Sequence, residues 1–327
     1  LPVIDSSGRV TAEALAANLR SERNLPPTIL SGKITNGVYV SSGDGSTITG
    51  AGIYVQGDAA DIQLTTNGTE QHYIITQGSK VTTIKVNTQT NTTSIESGTR
   101  KTTYSGVPTD KSNPTSPKPG VSLFVNGSIH SLRGGVSGST KKPGIAPDTA
   151  LTITAQRDIT ITGDLKYANA VANSDGTPVS GIDSVKNVLG IFTNDGNVEL
   201  EPNKNYINGP GLSMEVNAAI VSFNKNTSND GSGEIEGSIV YTSGTSPGSS
   251  DRLKLVGSRV QSKINNIGYS NRDVFFDVRY AGGTFAPPFF PGTKYSMGEE
   301  PTEGEIAIAS IATPKPTGMS WYRENNK

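Results

Sequence analysis

The stretch 151–165, LTITAQRDITITGDL, sets the narrowest limit on what this chain can fold into. Leu151, Ile153 and Ala155 alternate with Thr152 and Thr154, so a strand here carries its apolar side chains on one face. Gln156-Arg157-Asp158 interrupts the alternation, Ile159 and Ile161 resume it between threonines, and Gly163-Asp164 closes the unit. Two short strands joined at a corner, with the apolar side in and the threonine side out, form one coil of a β-solenoid.

The same unit recurs in SLFVNGSIHSL (122–132), NVLGIFTNDGNVEL (187–200), LSMEVNAAIVSF (212–223), EIEGSIVYTSG (234–244) and RLKLVGSRVQSKI (252–264). The corners read as Asn126-Gly127, Asn194-Asp195-Gly196, Asn217-Ala218, Glu236-Gly237 and Val256-Gly257. Their spacing is uneven, roughly 20 to 40 residues, which excludes a strict short repeat and favours an irregular parallel β-solenoid (β-helix). A β-sandwich also accommodates many short strands with turns; recurrence of one two-strand unit with a small corner favours the solenoid. Hydrophobic residues at 33% and charged residues at 17% are both low, but the chain is too rich in β-branched residues for disorder. The expected fold is all-β.

Along the chain, residues 1–27 read as a short N-terminal helix or cap, with Thr11 as N-cap and Leu15 and Leu19 on one face. Residues 28–58 read as the first coils, with turns at Ser31-Gly32, Asn36-Gly37 and Gly50-Ala51-Gly52. Residues 59–120 change character. Asn67-Gly68 and Gln77-Gly78-Ser79 are hairpin signals between alternating strands, and 106–120 is a Pro/Ser-rich linker, so this part reads as an inserted β-hairpin module. The main solenoid follows over 121–272, with a Gly/Ser/Lys loop at 134–147. Residues 273–327, containing DVFFDVRY, FAPPFFPG and Trp321-Tyr322, read as an aromatic, Pro-rich cap or arm.

A formal net charge of −1 gives no general attraction to nucleic acid or anionic membrane, and the absence of cysteine removes disulfides and thiolate chemistry. The two histidines, His72 and His130, lie in different segments and neither neighbours a metal-ligand set. Acids such as Asp195, Glu199 and Glu201, Glu234 and Glu236, or Asp273 and Asp277 are scattered through turns rather than gathered as an acid and a base. Asn173-Ser174-Asp175-Gly176 and Asn229-Asp230-Gly231 lack the remaining ligand spacing of calcium loops and read as turns. No catalytic, cofactor-binding or metal residue is assigned, and the chain reads as a non-enzyme.

The hairpin module carries the candidate site. Lys80, Lys85, Arg100 and Lys101, with Lys111 and Lys118 in the linker, outnumber the acids Asp61, Glu70, Glu96 and Asp110, and His72, Tyr73 and Tyr104 add rings, so a projecting ribbon would touch DNA phosphates without reading sequence. The plainer reading of these cations is an exposed ribbon kept soluble and guarded against edge pairing.

The runs GIYVQGD (52–58), SLFVNGSIHSLRG (122–134), ITAQRDITITGDL (153–165), NVLGIF (187–192), NAAIVSF (217–223), EGSIVY (236–241) and PPFFP (287–291) resemble those of the ComZ-like β-solenoid minor pilins linked to natural competence. The resemblance implies an extracellular, cell-surface component of a type IV pilus system. Its partners would be other pilins and double-stranded DNA at the pilus tip. Attachment to the membrane would run through a hydrophobic N-terminal pilin helix, which this sequence does not carry. The alternatives are a structural or adhesive envelope protein meeting polysaccharide or another surface protein, and a carbohydrate-active β-helix enzyme.

Overall fold

The computed structural model describes residues 36–42, 47–109, 120–137, 140–193, 196–222, 237–242, 246–261, 267–282 and 285–288. These residues form two β-sheets and two short 3-10 helices, Ile182–Ser184 and Val278–Gly282. Sheet one has the order β1 (Gly37–Ser42), β2 (Ile48–Gln56), β8 (Val121–Asn126), β11 (Ala150–Ala155), β13 (Val188–Thr193), β15 (Met214–Ser222), β17 (Arg252–Gln261) and β18 (Asn271–Phe276). Sheet two begins with β16 (Ile239–Tyr241), β14 (Val198–Leu200), β12 (Ile159–Ile161) and β9 (Ile129–Ser137). It continues through β3 (Asp61–Asn67), β4 (Glu70–Gln77), β5 (Lys80–Asn87), β6 (Thr92–Ser97) and β7 (Arg100–Ser105). A last strand, β10 (Thr140–Lys142), pairs antiparallel with β9.

The fold is all-β with extensive parallel pairing. Each of the passages β2–β3, β8–β9, β11–β12, β13–β14 and β15–β16 crosses from sheet one to sheet two, and each strand lies parallel to its counterpart from the preceding passage. The alternation read in 151–165 is what permits this. In register across sheet one stand Ile53, Leu123, Ile153, Ile191 and Ile220, all with no exposed surface. Across sheet two stand Ala59, Ile129, Ile159, Val198 and Ile239. Each Val, Leu or Ile of these columns contributes about 1.5–3 kcal/mol through burial. The opposite face of sheet one is buried as well: Tyr54 and Phe124 stack with ring centres 5.9 Å apart, and Phe192 is buried farther along the same sheet. A parallel sheet covered on both faces explains why these strands read as nearly continuous apolar runs.

The corner between the sheets is a repeated device. Just before the column that starts at Ala59 stand Asp58, Ser128, Asp158, Asn197 and Ser238. Asp58 Oδ1 accepts the Ser128 N–H at 2.8 Å, Asp158 Oδ1 the Asn197 N–H at 2.7 Å, and Asn197 Oδ1 the Ser238 N–H at 3.0 Å. Each short polar side chain thus satisfies a backbone donor on the next passage, which otherwise has no ladder partner at the bend. The residue before each is glycine at 57, 127, 196 and 237, and Arg157 at the fifth. A Cβ on Gly127 would overlap Asp58 Oδ1, and one on Gly196 would lie 2.7 Å from Asp158 Oδ1.

Several sequence expectations are corrected. Asn217-Ala218 and Val256-Gly257 are not corners; they lie inside the continuous strands β15 and β17. Gly257 takes φ +153 there, and the Ala218 carbonyl occupies the space a side chain would need. Gly50-Ala51-Gly52 is likewise inside β2, and β1 pairs antiparallel with β2 rather than beginning the parallel series. The expected loop at 134–147 begins as strand: β9 runs on to Ser137 and β10 folds back on it. In the expected cap or arm from 273, residues 273–276 belong to β18, which adds parallel to β17. The helix at 11–20, the linker residues 110–119, Asn229-Asp230-Gly231 and Trp321-Tyr322 lie outside the described residues.

β3 to β7 form an antiparallel meander that extends sheet two. Its turns Gly68-Thr69, Gly78-Ser79 and Gly98-Thr99 have positive φ at the first position only, the II′ arrangement that matches strand twist. A side chain at Gly68, Gly78 or Gly98 would meet nothing within 4 Å, so backbone conformation alone selects glycine. Gln71, buried in β4, joins the meander to the passage that follows β10. Its amide donates to Gly144 O at 2.8 Å and accepts the Ala146 N–H at 2.8 Å.

Candidate nucleic-acid interface

Antiparallel register decides which of the expected contact residues share a face. Gln77 opposes Lys80, Thr82 opposes Ser97, Ser97 opposes Arg100, and Thr93 opposes Tyr104. With side chains alternating along each strand, Lys80, Arg100 and Tyr104 lie on the face that carries Ile84 and Ile95. His72 opposes Lys85, and Glu96 opposes Lys101, on the other face. The five residues therefore do not converge. Lys80 and Arg100 follow the turns Gly78-Ser79 and Gly98-Thr99 at the same end of the meander, and both are exposed. Among the described residues no carboxylate pairs with either. Tyr104 is half-buried on the same face, farther along β7.

Lys85 and Lys101 are engaged differently. Glu96 Oε1 accepts from Lys85 Nζ at 2.8 Å and lies 3.0 Å from Lys101 Nζ. The hydrogen bonds from Lys85 and then Lys101 hold the Glu96 carboxyl at about 2, well below its ordinary range. This triad keeps one net positive charge, but its geometry is that of a brace across β5, β6 and β7. His72 Nε2 contacts Glu70 Oε1 on the same face, and His130 stands 3.8 Å from Asp58. Among the described residues no three His, Asp or Glu side chains gather to hold a metal ion. Asn173–Gly176 is a turn closed by the Gly176 N–H to Asn173 O at 3.1 Å, with Asp175 accepting from the Thr177 N–H at 2.9 Å.

The interactions of three polar centres were not foreseen in the sequence. Arg133 forks onto Asp61 with two bonds of 2.8 Å and stacks 4.1 Å over the Tyr206 ring, tying β9 to β3. Asp164 is buried and accepts the N–H groups of Glu215 and Asn208, each at 2.8 Å; burial raises its carboxyl above the ordinary range despite those bonds. Arg279 and Asp277 form a buried pair, with Nη2 to Oδ2 at 2.6 Å and Nη1 donating to Val185 O and Asn187 O at 2.9 and 3.0 Å. The Phe285 ring lies 4.3 Å from that guanidinium. The signal for the last pair was two charges two residues apart inside an aromatic run.

Comparisons with protein-family models, with curated proteins and with solved structures find no match. Among the described residues no helix is long and apolar enough to cross a membrane.

Proposed function

We propose that the chain is an irregular parallel β-solenoid serving as a non-catalytic, cell-surface minor pilin of a type IV pilus system. In this reading it touches double-stranded DNA without sequence specificity. The solenoid part is supported by the repeated passage between two sheets and by the corner column of Asp58, Ser128, Asp158, Asn197 and Ser238. The pilin part, with other pilins as neighbours and an extracellular location, rests on the sequence resemblance.

One observation carries the DNA part. Lys80 and Arg100 are exposed on one face at one end of the meander, unneutralised among the described residues, with Tyr104 on that face. Phosphate contact requires cations free to exchange their counterions for DNA. Lys85 and Lys101 already share Glu96 and contribute less. The opposite face, where Thr83 and Thr103 lie beside the ion triad, favours the second reading, adhesion to polysaccharide through hydroxyl groups.

The test is a binding isotherm with random-sequence duplex DNA at about 50 mM salt. The double variant K80A/R100A is expected to bind about tenfold more weakly with an unchanged melting temperature, and K85A/K101A to lose less. Equal affinity for wild type and K80A/R100A would remove this interface.

A further inference from the structure

Sheet two ends at β7. The two-residue turn Gly98-Thr99 makes Ser97 and Arg100 a hydrogen-bonded pair, and the Gly106 N–H to Asn91 O at 2.7 Å continues the same series at the other end of the strand. By alternation the pairs Ile95–Thr102 and Thr93–Tyr104 also exchange bonds, so the N–H and C=O groups of Lys101 and Thr103 point away from β6. Among the described residues no strand pairs with β7 on that side, and a single parallel bridge, Thr47 to Ser105, stands at its end. Arg100, Thr102 and Tyr104 share one face of β7, and Lys101 and Thr103 share the other. No residue of the strand is fully buried. The charge along this edge is positive. Arg100 is exposed, and Lys101 shares Glu96 with Lys85, so two lysines answer one carboxylate.

Outward main-chain groups beside two adjacent cations favour an extended, acidic strand. We infer that the outer edge of β7 is a docking edge for an extended strand of a partner protein, one that carries two adjacent acidic residues. Consecutive residues of a strand point to opposite faces, so adjacent acids reach Arg100 on one face and Lys101 on the other at once. Strand addition supplies main-chain hydrogen bonds to Lys101 and Thr103, and sets a side chain of the incoming segment beside Tyr104. Cations on an edge oppose the addition of a basic strand, so the charges that guard this edge also choose its partner. The main-chain groups of Lys101 and Thr103 have no part in the DNA reading, which rests on the side chains of Lys80 and Arg100.

The experiment uses the intact chain and three fluorescent ten-residue peptides of alternating threonine and valine. The first carries two adjacent glutamates at its centre and the second two lysines there. The third repeats the glutamate peptide with its central backbone nitrogens methylated. Fluorescence anisotropy is expected to show saturable binding of the glutamate peptide, at least about tenfold tighter than either of the others. T103P removes an outward donor and fills the edge while leaving the bonds to β6 in place. It is expected to weaken the glutamate peptide by at least about tenfold with an unchanged melting temperature. Absence of binding, equal binding of the methylated peptide, or full binding by folded T103P overturns the inference; should T103P fail to fold, the methylated peptide decides. Concentration-dependent dimerisation abolished by T103P assigns the edge to a second copy and overturns the partner strand. So does strong hydrogen-exchange protection of the Lys101 and Thr103 amides in the free chain, which assigns the edge to the chain's own residues.

Discussion

Tyr73 shows how much a single polar atom decides. Its side chain has no exposed surface, its hydroxyl has no hydrogen-bond partner, and burial pushes that hydroxyl far above its ordinary titration range. An unmet buried hydroxyl costs about 1–3 kcal/mol. Tyr73→Phe keeps the ring and removes the cost, so urea unfolding should show a gain of about 1 kcal/mol; a loss of that size would mean the hydroxyl is satisfied. Arg279 is the opposite case, since Arg279→Met leaves Asp277 buried without its cation, at an expected cost of about 3–5 kcal/mol. Glu96 gives the pH dependence. Its folded carboxyl titrates at about 2 against an ordinary 4.5, so its contribution is full above 4.5 and is lost as pH falls from 4.5 toward 2. In K85A/K101A an NMR titration of Glu96 should move its midpoint up toward 4.5, and an unmoved midpoint would contradict the brace. Asp164 has the other sign: its raised carboxyl favours the folded state at low pH, and that advantage fades as pH rises through its folded pKa.

At the scale of elements, the corners and the turns of the meander bear separate loads. Asp158→Ala removes the acceptor of the Asn197 N–H and should cost about 1 kcal/mol in denaturant unfolding; no change would mean that water replaces the carboxylate. The strands and the first two hairpin turns were legible, because period-two alternation and Asn67-Gly68 or Gly78-Ser79 are local signals. The corners at Asn126-Gly127 and Gln156-Arg157-Asp158 were legible for the same reason. Asn217-Ala218 and Val256-Gly257 misled, since small residues mark a bend in sequence but here mark close packing: Ala218 is fully buried and its carbonyl lies against Gly257. The candidate interface was half legible. Composition pointed to the strands of the meander, but the face of each lysine depends on register across β5, β6 and β7, which single-strand patterns do not contain.

For the whole molecule, a net charge of −1 means that any attraction to a polyanion is local, and the proposed function puts it at the end of the meander where Lys80 and Arg100 stand. In the proposed solenoid the stacked passages hold this meander as a lateral extension of sheet two, joined through β3 on β9 and the buried Gln71. The number of phosphates engaged is therefore small and can be counted. The most direct measurement is the affinity for duplex DNA as a function of salt, from about 50 to about 200 mM. Contact by Lys80 and Arg100 predicts that the logarithm of the association constant falls with the logarithm of salt concentration at a slope of about −2, and that K80A/R100A flattens it. A slope near zero, or the same slope in K80A/R100A, would contradict the account.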